Sequence, residues 1–170
     1  MTYAVLTHTK LHRPGYRGVG ATIMELNNAD TSLPRGMSRN GGTKTERDSS
    51  DFLINGQSLL HLLVAINGGH GDFMGCFVRG SEDAIKMALD EILPTSDNAP
   101  RRVGLYICPE CSDISCGRYS VLIEKKSEAV FWSEFAYEND YEPAWLIEGL
   151  GPFQFESVQY EQAIREAASP

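Results

Sequence analysis

The sequence predicts an α+β fold, a mostly antiparallel sheet packed against two or three helices. Three observations carry that prediction. Apolar β-type runs at 103–107, 119–123 and 129–137 follow one another with polar stretches between them, the pattern of an antiparallel meander. Two stretches, one opening at Leu59 and one containing Ile85, repeat apolar residues at helical spacing behind a serine able to cap them. A chain of 170 residues, 42% of them hydrophobic, holds enough apolar mass for one core without disulfide staples. A single domain over 1–170 follows, with a distinct N-terminal part at 1–50 and the more regular core at 51–168.

In order along the chain, Tyr3 to Leu6 reads as a short strand. A basic stretch follows, His8, Lys10, His12, Arg13 and Arg17, broken by Pro14 and Gly15. Ala21 to Leu26 has the apolar content of a short strand or helical turn. Residues 27–50 lack either periodicity and read as a long loop, mobile or kept for function. Phe52 to Ile54 is a strand and Asn55-Gly56 a tight turn. Ser58 caps a helix whose buried stripe is Leu59, Leu62, Leu63 and Ile66, stopped by Asn67-Gly68-Gly69. Met74 to Val78 is another strand. Ser81 caps a second helix, with Glu82 and Asp83 at the positive end of its dipole and Ile85, Ala88, Leu89 and Ile92 on its inner face. Pro94 bars its continuation, and 95–100 is a connection rich in turn residues. In the meander, Val103, Leu105 and Ile107 alternate with Gly104 and Tyr106, and Glu124-Lys125-Lys126-Ser127 turns the chain into the third strand. Phe153 and Phe155 mark a last short strand. Ser157 caps a closing helix with Tyr160, Ala163, Ile164 and Ala167 on one face.

Composition narrows the function classes. No run is long and apolar enough for a transmembrane helix, and the first residues lack the pattern of a secretory signal. Three of the four cysteines, Cys108, Cys111 and Cys116, lie within nine residues and Cys76 stands apart. That clustering suits a metal knuckle or reduced thiols better than an extracellular disulfide framework. A cytoplasmic protein is the expectation. The formal charge is -8, and all of it sits between Ser127 and Glu166, where nine carboxylates meet one base, Arg165. Direct nucleic-acid binding through that region is opposed electrostatically, whereas a basic partner is attracted.

Chemistry has few places to reside. Cys108-Pro109-Glu110-Cys111 sets two thiolates on a turn that can aim both sulfurs at one zinc, with Cys116 near and either Cys76 or His70 needed as a fourth ligand. The same residues also read as reduced cysteines packing a loop, or as a redox dithiol, although no helix follows to stabilise a thiolate. Gly68-Gly69-His70-Gly71-Asp72 offers glycine N–H groups and a His/Asp couple, but the phosphate-loop spacing is absent and a helix stop explains it. His8 and His12 are four apart with no HExxH, and no GxSxG elbow occurs. The expectation is a protein that is not an enzyme and needs no cofactor, with zinc as the open alternative.

The remaining signal is a surface. Nine of the chain's sixteen aromatic residues lie between Phe131 and Tyr160, interleaved with the acidic residues. Aromatics supply interface hot spots and carboxylates steer a cationic partner, so Glu134, Tyr137, Glu138, Asp140, Tyr141, Glu142 and Trp145 are the candidate partner-binding residues. The plainer reading is that half of these aromatics are core and the carboxylates keep the outer face wet.

The string LYICPECSDISCG at 105–117 resembles a family of small bacterial proteins. So do Val130-Phe131-Trp132-Ser133 with Phe135, Tyr137, Glu138 and Asn139, and Gly151-Pro152-Phe153-Gln154-Phe155 with Tyr160. Ile54-Asn55-Gly56-Gln57-Ser58-Leu59 fits the likeness, which covers about 52–164. The family pattern often has Gly after the second Cys, where this chain has Ser112, and that departure weakens a strained metal knuckle. The resemblance implies an immunity protein of a contact-dependent or polymorphic toxin system, binding one cognate toxin domain, a basic nuclease, as a 1:1 heterodimer. A small zinc-stabilised binding or regulatory protein is the second reading. The third is an enzyme using the Gly68 to Asp72 loop with Cys76 or Cys108.

Overall fold

The computed structural model describes residues 2–15, 44–95 and 99–169. Among the described residues it bears out an α+β fold, with two sheets and three α-helices. Strands β1 (Leu6–Arg13), β2 (Arg47–Ile54) and β3 (Gln57–Ser58) form a three-stranded sheet in that order. Helix α1 (Leu59–Asn67) and helix α2 (Glu82–Ile92) follow. The second sheet takes β4 (Arg101–Ile107), β5 (Arg118–Lys126), β6 (Ala129–Glu138) and β7 (Trp145–Leu146) in sequence, with β8 (Phe153–Glu156) also paired to β6. Helix α3 (Ser157–Ala168) closes the chain. The described residues group into two compact units, 2–11 with 49–95 and 99–169 and, separately, 12–15 with 44–48. The expected element at Ala21 to Leu26, Arg17, and residues 27–43 of the expected loop lie outside the described residues, as do 96–98 of the connection after α2.

Several elements differ from the sequence expectation for identifiable reasons. The first strand begins at Leu6 and takes in His8, Lys10, His12 and Arg13, because a sheet edge leaves most of its side chains open to water. The strand expected from Phe52 starts at Arg47, so 47–50 are not loop. Ser49, Ser50 and Asp51 are buried there despite their polarity, each with a hydrogen-bond partner. In α1 the buried residues are Leu59, Leu60 and Leu63, while Ile66 is exposed. Met74 and Cys76 make isolated bridges to Ile107 and Ser50 in place of a strand. The hairpin between β5 and β6 turns later than expected, at Ser127 and Glu128, with Ser127 at φ 58. Helix α3 is capped by Glu156, whose carboxylate accepts from the N–H groups of Val158 and Gln159, so Ser157 is its first residue.

Two bulges shape the larger sheet. Register moves from Gly104↔Ser120 to Tyr106↔Tyr119, so Leu105 is an extra residue in β4. The bulge rotates Tyr106 inward where strict alternation would turn it out, and Leu105 and Tyr106 are both buried in succession. In β6, Glu134 takes φ 49 where the register steps from Leu122↔Ser133 to Ser120↔Ala136. Arg102 spans this bulge, donating to the Glu134 carbonyl at 2.9 Å and to its carboxylate at 3.4 Å.

The core sits between the sheets and α3. Trp132 makes edge-on contacts with Phe52, Phe155 and Tyr160 at 5.6, 5.4 and 6.0 Å, the arrangement favoured by ring quadrupoles. Its indole N–H donates to the Tyr160 hydroxyl, which donates to the carbonyl of Ile92 at the end of α2. The sheets themselves are joined at 74–76. Met74 exchanges both backbone hydrogen bonds with Ile107, and the Cys76 carbonyl accepts from Ser50. Gly75 lies so close to Ser50 that a Cβ would collide with the Ser50 carbonyl, so only glycine fits.

Buried Asp51 completes the joint. It accepts from Tyr106 Oη at 2.5 Å, from Ser58 Oγ at 2.5 Å and from the Leu60 N–H at 3.4 Å. Burial first, and the Asp51 charge second, hold the Tyr106 phenol well above its ordinary range. Asp51→Ala leaves a buried hydroxyl and the first turn of α1 short of acceptors, and should cost roughly 3 kcal/mol, read as a lower urea midpoint at unchanged slope.

Candidate functional site

The meander aligns one aromatic residue from each strand. Tyr106 pairs with Tyr119, Tyr119 with Tyr137 and Tyr137 with Trp145, and directly opposed residues of antiparallel strands share a face. The row therefore crosses β4 to β7 on one side of the sheet. Its exposure rises along the way: Tyr106 and Tyr119 are buried, Tyr137 is half-buried and Trp145 is 67% exposed. The sequence held the aromatics but not their register, which depends on the bulges at Leu105 and Glu134.

The seven candidate partner-binding residues divide along this row. Tyr137 is engaged internally: it stacks on His70 at 4.8 Å, and its ring and hydroxyl occupy the space where a Cβ of Gly117 would stand. Glu138 accepts from Arg118 Nε at 2.5 Å. Glu134, more than half exposed, is tied to Arg102 at the bulge. Asp140, Tyr141, Glu142 and Trp145 are exposed, and Asn139 Oδ1 fixes the turn between them by accepting from the N–H groups of Tyr141 and Glu142. Tyr141 is 75% exposed, and Leu146, which sequence reasoning missed, is 49% exposed.

The cysteine turn lies at the end of β4. The Cys108 carbonyl accepts from the Ser112 N–H, Ser112 sits at φ 57, and Asp113 caps a short 3-10 turn (Ile114–Cys116) by accepting from Ser115. This fold-back gathers the three sulfurs of Cys108, Cys111 and Cys116 within 4.8 Å of one another. Cys111 and Cys116 are exposed, with their Sγ atoms 3.0 Å apart. The sulfur–sulfur hydrogen bond lowers the Cys111 thiol and raises that of Cys116 to about 12, so Cys111 is the favoured thiolate. Three soft donors so placed could hold a metal ion.

Neither residue expected to complete that set joins it. Cys76 is directed at the carbonyls of Leu105 and Gly104, at 3.5 and 3.8 Å, and burial, then Glu91, pushes its thiol up to about 12. His70 is held between Phe73 and Tyr137, at 4.6 and 4.8 Å. The Met74–Ile107 bridge nonetheless brings the end of the Gly68 to Asp72 loop to the start of the cysteine turn. Gly68 is the left-handed cap of α1, and the Gly69 carbonyl accepts from Tyr119 Oη at 2.6 Å.

In the small unit, His12 lies on strand β1, 2.6 Å from Asp48 and 3.8 Å from Glu46, so His8 and His12 are not the helical pair their spacing allowed. Among the described residues no helix is long and apolar enough to cross a membrane. Comparison with family models, with curated proteins and with solved structures finds no match.

A thiol-labelling experiment checks this arrangement. Under native reducing conditions an alkylating reagent should modify Cys111 first, the exposed and favoured thiolate, and Cys76 much more slowly; peptide mass spectrometry reads the order.

Proposed function

We propose that this protein binds and neutralises a basic protein partner, the nuclease domain of a toxin, through the edge of its larger sheet. The observation that carries this reading is the exposure of Tyr141, Trp145 and Leu146 together, in a segment whose neighbouring charges are carboxylates. Between 127 and 166 nine acidic residues meet one base, so long-range attraction selects a cationic surface and the aromatic residues supply the close contact. Strand β7 contributes main-chain groups at an edge as well. Asp140 and Glu142 steer, Trp145 and Tyr141 fill apolar pockets, and Glu134 adds charge from the bulge. Tyr137 and Glu138, bonded within the fold, support the surface from behind.

The immunity role draws on the resemblance of 105–117, of 130–139 and of 151–160 to a family of small bacterial proteins, since members of such families can serve as immunity proteins. Such a protein meets its toxin in the cytoplasm as a 1:1 complex, where clustered thiols stay reduced. Native mass spectrometry of protein purified gently from its own host tests this: a second, basic chain at one-to-one ratio is expected.

With that partner in hand, Asp140→Lys with Glu142→Lys should slow association by about tenfold at low salt and flatten its dependence on ionic strength, because the complementary field is gone. Trp145→Ala should instead speed dissociation and raise Kd by about 30-fold. Stopped-flow binding separates the two effects, and unchanged rates in both variants would remove the interface from this edge.

A second reading is favoured by the gathered sulfurs of Cys108, Cys111 and Cys116: the protein carries zinc in the cysteine turn. A tetrahedral zinc about 2.3 Å from each sulfur sets the sulfurs about 3.8 Å apart; the three lie within 4.8 Å of one another, and Cys111 and Cys116, at 3.0 Å, would separate slightly to admit the ion. The two readings are compatible, since a metal that fixes the turn leaves the sheet edge free.

A further inference from the structure

The geometry points to a zinc site with three thiolate ligands, Cys108, Cys111 and Cys116, whose fourth coordination place is filled from outside the chain. This rests on the zinc reading above and goes beyond it, because structural zinc sites are closed by four protein ligands.

Three observations support the open position. The sulfurs converge within 4.8 Å, and among the described residues no fourth histidine, cysteine, aspartate or glutamate donor shares that radius. The nearby candidates are occupied: Cys76 faces the carbonyls of Gly104 and Leu105, His70 is stacked between two rings, and Asp113 accepts from the Ser115 N–H. The turn also has backbone hydrogen bonds of its own, besides the contacts of Cys111 Sγ with the Asp113 carbonyl and Cys116 Sγ. The Cys108 carbonyl, the Asp113 side chain and the Ile114 carbonyl satisfy the N–H groups of Ser112, Ser115 and Gly117, so the sulfurs are presented by backbone that is already folded.

Exposure of Cys111 and Cys116 puts the vacant side of such a site toward solvent. Three thiolates around a divalent ion leave one net negative charge, so the site should favour neutral donors such as water or imidazole for its last place. A histidine presented by a bound partner is of that class.

Cobalt(II) is the probe, titrated anaerobically into the full-length reduced protein, because its visible bands report ligand number and type. One cobalt per chain with thiolate charge-transfer bands is expected, and added imidazole should shift the ligand-field bands. His70→Ala and Cys76→Ser should leave the spectrum unchanged, whereas Cys116→Ser should weaken cobalt binding by at least about tenfold. A tetrahedral spectrum that ignores imidazole and changes in His70→Ala or Cys76→Ser would mean an internal fourth ligand; the inference would fall while the zinc reading stood. Absence of stoichiometric cobalt binding in the folded, reduced protein would overturn both.

Discussion

The hydrogen bond from Tyr106 to buried Asp51 is the interaction on which the main unit turns. A buried carboxylate is expensive unless several donors satisfy it, and here the donors come from three parts of the chain. Tyr106 belongs to the larger sheet, Ser58 to the smaller one and Leu60 to the first turn of α1. The same phenol oxygen accepts from the Phe52 N–H. One carboxylate thereby fixes the start of a helix and the spacing of two sheets, and Gly75 permits the backbone contact that runs beside it. Tyr106 reaches Asp51 because β4 bulges at Leu105, and that bulge also sets the register of the aromatic row that ends at Trp145. The constraint in the core and the exposed edge are two ends of one arrangement.

Helix ends are satisfied in a related way, by long side chains from elsewhere in the fold. Arg79 donates to the last carbonyls of α3, and Arg101 does the same at the end of α2. Both placements put a cation where the helix dipole favours one. Much of the basic content of the main unit is thus committed internally, as with Arg102 at the Glu134 bulge and Arg118 on Glu138. The carboxylates at 140 and 142 lie in an exposed turn instead, and the acidic character of the sheet edge follows from this division.

Much of the fold was legible in the sequence because its signals are local. Ser58 and Ser81 cap the helices expected of them, Asn55 and Gly56 turn with positive φ, and the three strands of the meander appear in order. What escaped is what register and tertiary contact decide. The bulges put consecutive residues inward against the alternating pattern, Leu60 is buried where Ile66 was expected, and Glu156 outcompetes Ser157 as a cap because its carboxylate reaches two N–H groups. Strand β7, with two residues, carries no periodicity at all. For the candidate site, the sequence singled out one segment but could not tell Tyr137, spent on His70 and Gly117, from Tyr141 and Trp145, which are exposed. The convergence of Cys116 on Cys108 and Cys111 was suggested by spacing, whereas the separation of Cys76 and His70 from them was visible only in three dimensions.

The binding surface proposed above is the outer edge of the larger sheet, with the aromatic row behind it serving the fold. Hydrogen exchange measured on the free protein and on its complex with the co-purified chain tests this most directly. New protection is expected at 139–147 on binding, with little change in β4 and β5, whose backbones are already paired within the sheet. Protection appearing instead on the outer face of α3 or in α2, with 139–147 unchanged, would contradict it.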